Sequence, residues 1–147
     1  MREIIGDLLD PAHGFGAIGH GVNLKGRMGA GIAATISARW PGILPPYVEA
    51  CRSGELALGG FQRYEDPDGT VIYNLASQVQ PGRDARLDAV ESAVAAALVD
   101  CDERDAPTLA LPQIGAGIGG LDWVEVRERL AAASIGHRCE LVLVAYG

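Results

Sequence analysis

Cys139 to Tyr146 read Cys-Glu-Leu-Val-Leu-Val-Ala-Tyr, an almost unbroken apolar run. It is far shorter than the roughly 20 apolar residues needed to cross a bilayer. It also lacks the alternation of a strand with one wet face. A strand of this kind belongs in a sheet covered on both sides. The rest of the chain supplies the covers. Glu3–Ile5, Ala17–Val22, Leu56–Tyr64, Val71–Leu75 and Thr108–Leu111 read as further strands. Between them, Ile32, Ile36 and Trp40 repeat at helical spacing, and Pro45-Pro46 opens a helix that Gly54 closes. Leu87, Val90, Val94, Leu98 and Cys101 mark one face of a longer helix, and Trp123–Ala133 forms another. Asp66-Pro67-Asp68-Gly69 is a turn between two strands. Interleaved strands and helices of this kind predict an α/β fold with a central sheet between helical layers. Ligands of such sheets sit outside the carboxyl ends of the strands.

The length, 147 residues, predicts one domain over 1–147. The net charge of −7 repels phosphate chains over most of the surface, so nucleic acid is an unpromising partner unless it carries a modification the site can hold. An anion must be held locally, by aimed amides. Cys51, Cys101 and Cys139 are scattered in apolar contexts, as buried reduced thiols would be, and no metal-ligand spacing occurs. The start of the chain has no signal-peptide pattern, so a soluble, cytoplasmic protein is expected, and a monomer.

Two loops carry the chemistry. Gly26-Arg27-Met28-Gly29-Ala30-Gly31 follows the second strand and opens a helix. Ile114-Gly115-Ala116-Gly117-Ile118-Gly119-Gly120 follows the Thr108 strand and is expected to lead into another. Consecutive amides in such loops form anion nests, and a helix start adds partial positive charge. Two of them together suit two linked phosphates. The alternative for each is a tight turn. No Gly-x-x-x-x-Gly-Lys-Ser/Thr run is present, and Gly14–Gly19, which matches Gly-x-Gly-x-x-Gly, precedes its strand where a dinucleotide loop would follow it.

The runs Gly6-Asp7-Leu8-Leu9, His20-Gly21-Val22-Asn23, Met28-Gly29-Ala30-Gly31-Ile32-Ala33, Asn74-Leu75-Ala76-Ser77-Gln78 and Pro112–Trp123 resemble a macrodomain from Gly6 to Tyr146. The resemblance is to the branch holding the terminal ADP-ribose protein glycohydrolase and the yeast ADP-ribose-1''-phosphate phosphatase. It implies a three-layer α/β/α sandwich with a mixed sheet, ADP-ribose or an ADP-ribosylated substrate as ligand, and no cofactor or metal. It implies that Asp7, beside the Leu8 amide, accepts from the adenine amino group. Met28, Gly29, Ala30, Gly31 and Ile32, with Ser77, Ile114, Gly115, Ala116, Gly117, Ile118 and Gly119, would hold the pyrophosphate and distal ribose. Tyr146 would stack on adenine, although a core or rim tyrosine is the alternative.

The resemblance also exposes a departure. The glycohydrolase of this branch uses a lysine and an aspartate where this chain has Ser77 and Gly119. Asp122 opens a Ser/Thr/Asp-x-x-Glu capping box with Glu125, with Leu121 and Val126 as its hydrophobic staple, so a helix cap is its expected role. Lys25, the sole lysine, lies in another loop and is expected to face solvent. Asn23 and His20 remain as candidates for orienting ribose or water and for proton transfer; His20 can equally be packed in the sheet. Three functions are open: a hydrolase acting at the anomeric carbon of the distal ribose, a reader that binds ADP-ribose without turnover, or a binder of another nucleotide or sugar phosphate.

Overall fold

The computed structural model describes residues 1–147. Six strands, β1 (Arg2–Ile5), β2 (Ile18–Val22), β3 (Phe61–Glu65), β4 (Val71–Ala76), β5 (Thr108–Leu111) and β6 (Glu140–Ala145), form one sheet in the order β1-β6-β5-β2-β4-β3. Every pairing is parallel except that of β3 with β4. Those two strands form a hairpin through Asp66–Thr70, closed by Asp66 N–H donating to Thr70 O at 2.9 Å.

The alternation of side chains along each strand separates two cores. Tyr73, Leu75, Leu109, Leu111, Leu141 and Leu143 face one layer, built from α3 (Leu87–Glu103) and α4 (Trp123–Ser134). Ile72, Ala76, Ala110, Val142 and Val144 face the other, where Ile36, Trp40, Tyr47 and Ala50 come from α1 (Gly31–Arg39), α2 (Leu44–Ser53) and the turn between them. The α/β/α sandwich with a mixed sheet follows from this. The middle of β6, Leu141–Val144, is buried on both faces, as its composition requires.

Two details differ from the sequence reading. Leu56–Gly60 is not strand: Gly60 N–H donates to Ala57 O at 2.9 Å, and the Gly59-Gly60 pair turns the chain into β3. Cys51 is only half-buried, whereas Cys101 and Cys139 are buried; all three are free thiols. As expected, the second glycine loop leads through Leu121 and Asp122 into α4, which begins at Trp123. Asp122 caps it by accepting from Val124 N–H at 2.9 Å. No helix is long and apolar enough to cross a membrane.

Candidate functional site

Because β1, β6, β5, β2 and β4 run parallel, their carboxyl ends share one edge of the sheet. The segments leaving those ends therefore meet: Gly6–Leu9 after β1, Asn23–Ala30 after β2, Ser77–Arg86 after β4, Pro112–Asp122 after β5, and Tyr146 after β6. Two adjoining cavities open among them. A base lobe of about 510 Å³ is lined by Gly6, Asp7, Leu8, Leu9, Ile32, Thr35, Arg39, Pro112, Gln113, Val144 and Tyr146. A distal lobe of about 300 Å³ is lined by Gly21, Ala30–Ala33, Ser77, Gln78, Gly82, Pro112–Gly115 and Gly117–Gly119. Ile32, Pro112 and Gln113 belong to both, so the lobes form one cleft. A third cavity opens between Trp40 and the Asp66–Thr70 turn; it shares no residue with the distal lobe.

The distal lobe is built for an anion by its backbone. Helix α1 has no side-chain cap, and its first backbone bond is Ala34 N–H to Ala30 O, so the amides of Gly31, Ile32 and Ala33 are left open at the lobe. Across from them, the amides of Gly115, Gly117, Ile118 and Gly119 make no backbone hydrogen bond. Gly21 forms the floor: a Cβ there would stand 2.6 Å from Ser77 Oγ and 3.3 Å from Ile114 Cγ1. The absence of that carbon is what leaves room above the sheet.

The base lobe carries the charged side chains. Asp7 is exposed, and its Oδ1 accepts from Leu9 N–H at 2.9 Å, which orients the carboxylate and leaves Oδ2 for an incoming donor. Arg39 donates to Leu9 O at 2.7 Å and lies 4.8 Å from the Trp40 ring centre. Tyr146 is 87% exposed, so it is a rim residue with an open ring face rather than a core tyrosine. No side chain lining the distal lobe titrates near neutral pH.

The two residues considered for catalysis lie outside both lobes. His20 is fully buried, with Nε2 and Asn74 Oδ1 2.7 Å apart. Its Nδ1 has no partner, and burial lowers its pKa to about 4, which keeps the ring neutral. An enclosed neutral imidazole does not reach a ligand in the cleft. Asn23 is turned into its own loop. Its Oδ1 accepts from Lys25 N–H at 2.9 Å and from Tyr47 Oη at 3.1 Å, and its Nδ2 donates to Arg27 O at 2.8 Å. It shapes the first loop from below.

Among the proposed ligand contacts, Asp7, Leu8, Ala30, Gly31, Ile32, Ser77, Ile114, Gly115, Gly117, Ile118, Gly119 and Tyr146 line the cleft. Met28 does not; its side chain is buried among Ile36 and Tyr47. Gly29 and Ala116 are also absent from the lining. Sequence reasoning missed Gln113, which stands where the lobes join, and Thr35 and Arg39, which follow Ile32 along α1 into the base lobe. For the two helical residues, the spacing from Ile32 is the signal that could have found them.

A family model described as "Macro domain" matches residues 20–130. A DNA ADP-ribosyl glycohydrolase of Thermus aquaticus is 30% identical over 137 residues, covering 90% of this chain and 37% of the relative. This chain thus spans little more than a third of that relative's length. The ADP-ribose glycohydrolase OARD1 of Homo sapiens is 26% identical, covering 75% of this chain and 68% of its own. The solved macrodomain of Thermus aquaticus DarG superposes with a TM-score of 0.86 at 30% identity, covering 98% of this chain and 96% of that one.

Proposed function

This chain belongs to the macrodomain family, and we propose that its cleft binds ADP-ribose, alone or as the terminal group of a modified substrate. The observation that carries the reading is the pair of open amide sets, Gly31–Ala33 and Gly115 with Gly117–Gly119, facing one lobe beside a second that holds Asp7 and Tyr146. A pyrophosphate suits the amides, an adenine amino group suits the free oxygen of Asp7, and the Tyr146 ring suits the base face. Calorimetry with ADP-ribose tests this; micromolar affinity, about −8 kcal/mol, is expected. Absence of heat at millimolar ligand would remove the reading.

Once bound, the ligand is hydrolysed at the anomeric carbon of its distal ribose. The names of the relatives support this, and they point to an ADP-ribosyl linkage, on DNA in the first of them, ahead of ADP-ribose-1''-phosphate. The chain's own residues assign the work narrowly. The amides hold the pyrophosphate and fix the ribose, while Ser77 and Gln78 stand near the floor where a water would be oriented. A second reading, a reader without turnover, is favoured by one observation: the distal lobe offers no acid or base. Single-turnover assays on ADP-ribosylated DNA, ADP-ribosylated protein and ADP-ribose-1''-phosphate separate the two. Product from none of them, with tight ADP-ribose binding, would establish the reader.

A further inference from the structure

Of the twelve basic side chains, eight pair with carboxylates. Arg39 is engaged by Leu9 O and the Trp40 ring. That leaves Lys25, Arg27 and Arg83, exposed and without a side-chain partner. In a chain with nineteen carboxylates, free cations are the exception, and these three are not scattered.

Lys25 and Arg27 lie on the segment leaving β2, and Arg83 on the segment leaving β4. The two segments are joined by Leu24 N–H donating to Val79 O at 3.0 Å. The β4 segment is joined in turn to the second glycine loop by Ala85 N–H donating to Gly119 O at 3.2 Å. Arg83 lies across that loop, since a Cβ on Gly120 would stand 2.5 Å from its Cγ. The nearest carboxylate in sequence, Asp84, is taken by the amides of Val79 and Gln80 and by Arg86. Strand order places this group on the half of the cleft away from Asp7 and Tyr146, which leave β1 and β6. None of the three lines either lobe.

We propose that Lys25, Arg27 and Arg83 form a rim that holds the phosphodiester backbone of a nucleic-acid strand whose ADP-ribose fills the cleft; this rests on the reading of the cleft as an ADP-ribose site. The pyrophosphate is already served by amides, so the rim answers to charge beyond the distal ribose. A net charge of −7 repels a polyanion elsewhere on the surface, and the rim relieves that repulsion only where a modified residue must approach. A nucleic-acid strand carries a phosphate on either side of any modified nucleotide, so it meets cations on two neighbouring segments whatever its sequence. A peptide does so only by accident of composition.

The test compares wild type with Lys25→Gln/Arg27→Gln/Arg83→Gln on three probes: free ADP-ribose, a short single DNA strand carrying one ADP-ribose, and a glutamate-rich peptide carrying one ADP-ribose. Binding is followed by stopped-flow anisotropy, before turnover, with free ADP-ribose as competitor. The triple variant should bind free ADP-ribose and the peptide as wild type does, and the DNA probe at least tenfold more weakly. The slope of log K against log salt for the DNA probe should fall by about 2, from about 0.7 for each single-strand phosphate contact. An unchanged DNA affinity and slope would overturn the proposal. Equal losses on DNA and peptide would overturn it in favour of a general anion rim, and equal loss on free ADP-ribose would assign the cations to the pyrophosphate. If wild type binds no free ADP-ribose but its DNA binding still depends on the rim, the reading of the cleft fails and the rim stands. If it binds none of the probes, both fall.

Discussion

Ile118 Cδ1 lies 3.1 Å from where a Cβ on Gly31 would stand, so the second glycine loop touches the first turn of α1 across the mouth of the distal lobe. Gly31 holds φ +58, a conformation that a residue with a Cβ adopts only under strain. Ile118, 56% exposed, is an apolar bridge over a polar floor. Ile118→Ala should speed ADP-ribose release roughly five- to tenfold with little change in association, as most affinity differences within one interface lie in dissociation. Stopped-flow dissociation measures it; an unchanged rate would mean the bridge does not cover the ligand.

Gly117 gives a sharper test of the amide nest. Nothing lies within 4 Å of a Cβ built there, and its φ is not positive, so a side chain enters without disturbing the loop. Gly117→Glu should keep the wild-type melting temperature and lose ADP-ribose binding, because a carboxylate would compete for the same amides. Normal binding by this variant would reduce the loop to a turn. Gly29→Glu is the milder counterpart, since Gly29 is exposed and outside the lining.

Asp7→Asn separates base recognition from folding. Asparagine keeps an oxygen for the Leu9 amide but sets an amino group where the free carboxylate oxygen stood. ADP-ribose should bind at least tenfold more weakly, from an unmet donor costing about 1–3 kcal/mol, while ribose-5-phosphate binds unchanged. Equal losses for the two ligands in calorimetry would place Asp7 in the fold rather than at the base.

Asn23 should act through its loop. Removing its amide in Asn23→Ala frees Lys25 N–H and Arg27 O, while the Tyr47 hydroxyl keeps its bond to Asn23 O at 2.7 Å. ADP-ribose affinity and any hydrolysis should fall together. Tyr47→Phe should reproduce part of the loss, and the double variant should show coupling in a thermodynamic cycle. Lys25→Ala, by contrast, should leave turnover of free ADP-ribose-1''-phosphate near wild type. Loss of rate without loss of affinity in Asn23→Ala would instead give Asn23 a part in the chemistry.

His20 sets a limit at low pH. Its folded pKa, about 4, lies below the 6.5 of an unburdened histidine, so the unfolded chain takes up the proton first. Stability from this residue is complete above about pH 6.5 and is lost as pH falls towards 4, by ~3 kcal/mol at most. Urea unfolding between pH 7.5 and 5 should show that slope in wild type and a smaller one in His20→Gln. Parallel slopes would mean the ring is not held neutral.

The order of strands and helices was legible in the sequence because hydrophobic period and Gly/Pro punctuation agreed over most of the chain. Leu56 misled for a local reason: it is buried under the sheet like a strand residue, yet the turn after it is closed by glycines. The cleft was legible where backbone made it, as at Gly115–Gly119, and less so where side chains did. Ile18, His20 and Val22 share a face by alternation, but the depth of His20 depends on Asn74 in the paired strand, which no local pattern reveals. Met28 sits inside a loop motif and still turns into the core, while Gln113 reaches the cleft one residue ahead of the glycine loop expected to make the contact.

β1 has a single neighbour, β6, and they register Arg2 with Val142 and Ile5 with Ala145. Asp7 and Tyr146 leave the ends of that pair, so the base lobe is closed by the most distant pairing in the chain. With one neighbour only, this margin of the sheet should be among the parts that open most readily. A nucleotide lodged between Asp7 and Tyr146 becomes a clasp on that margin. Occupancy of the cleft and the closure of the first strand onto the last are one equilibrium, and hydrogen exchange in Arg2–Ile5 should slow when ADP-ribose binds.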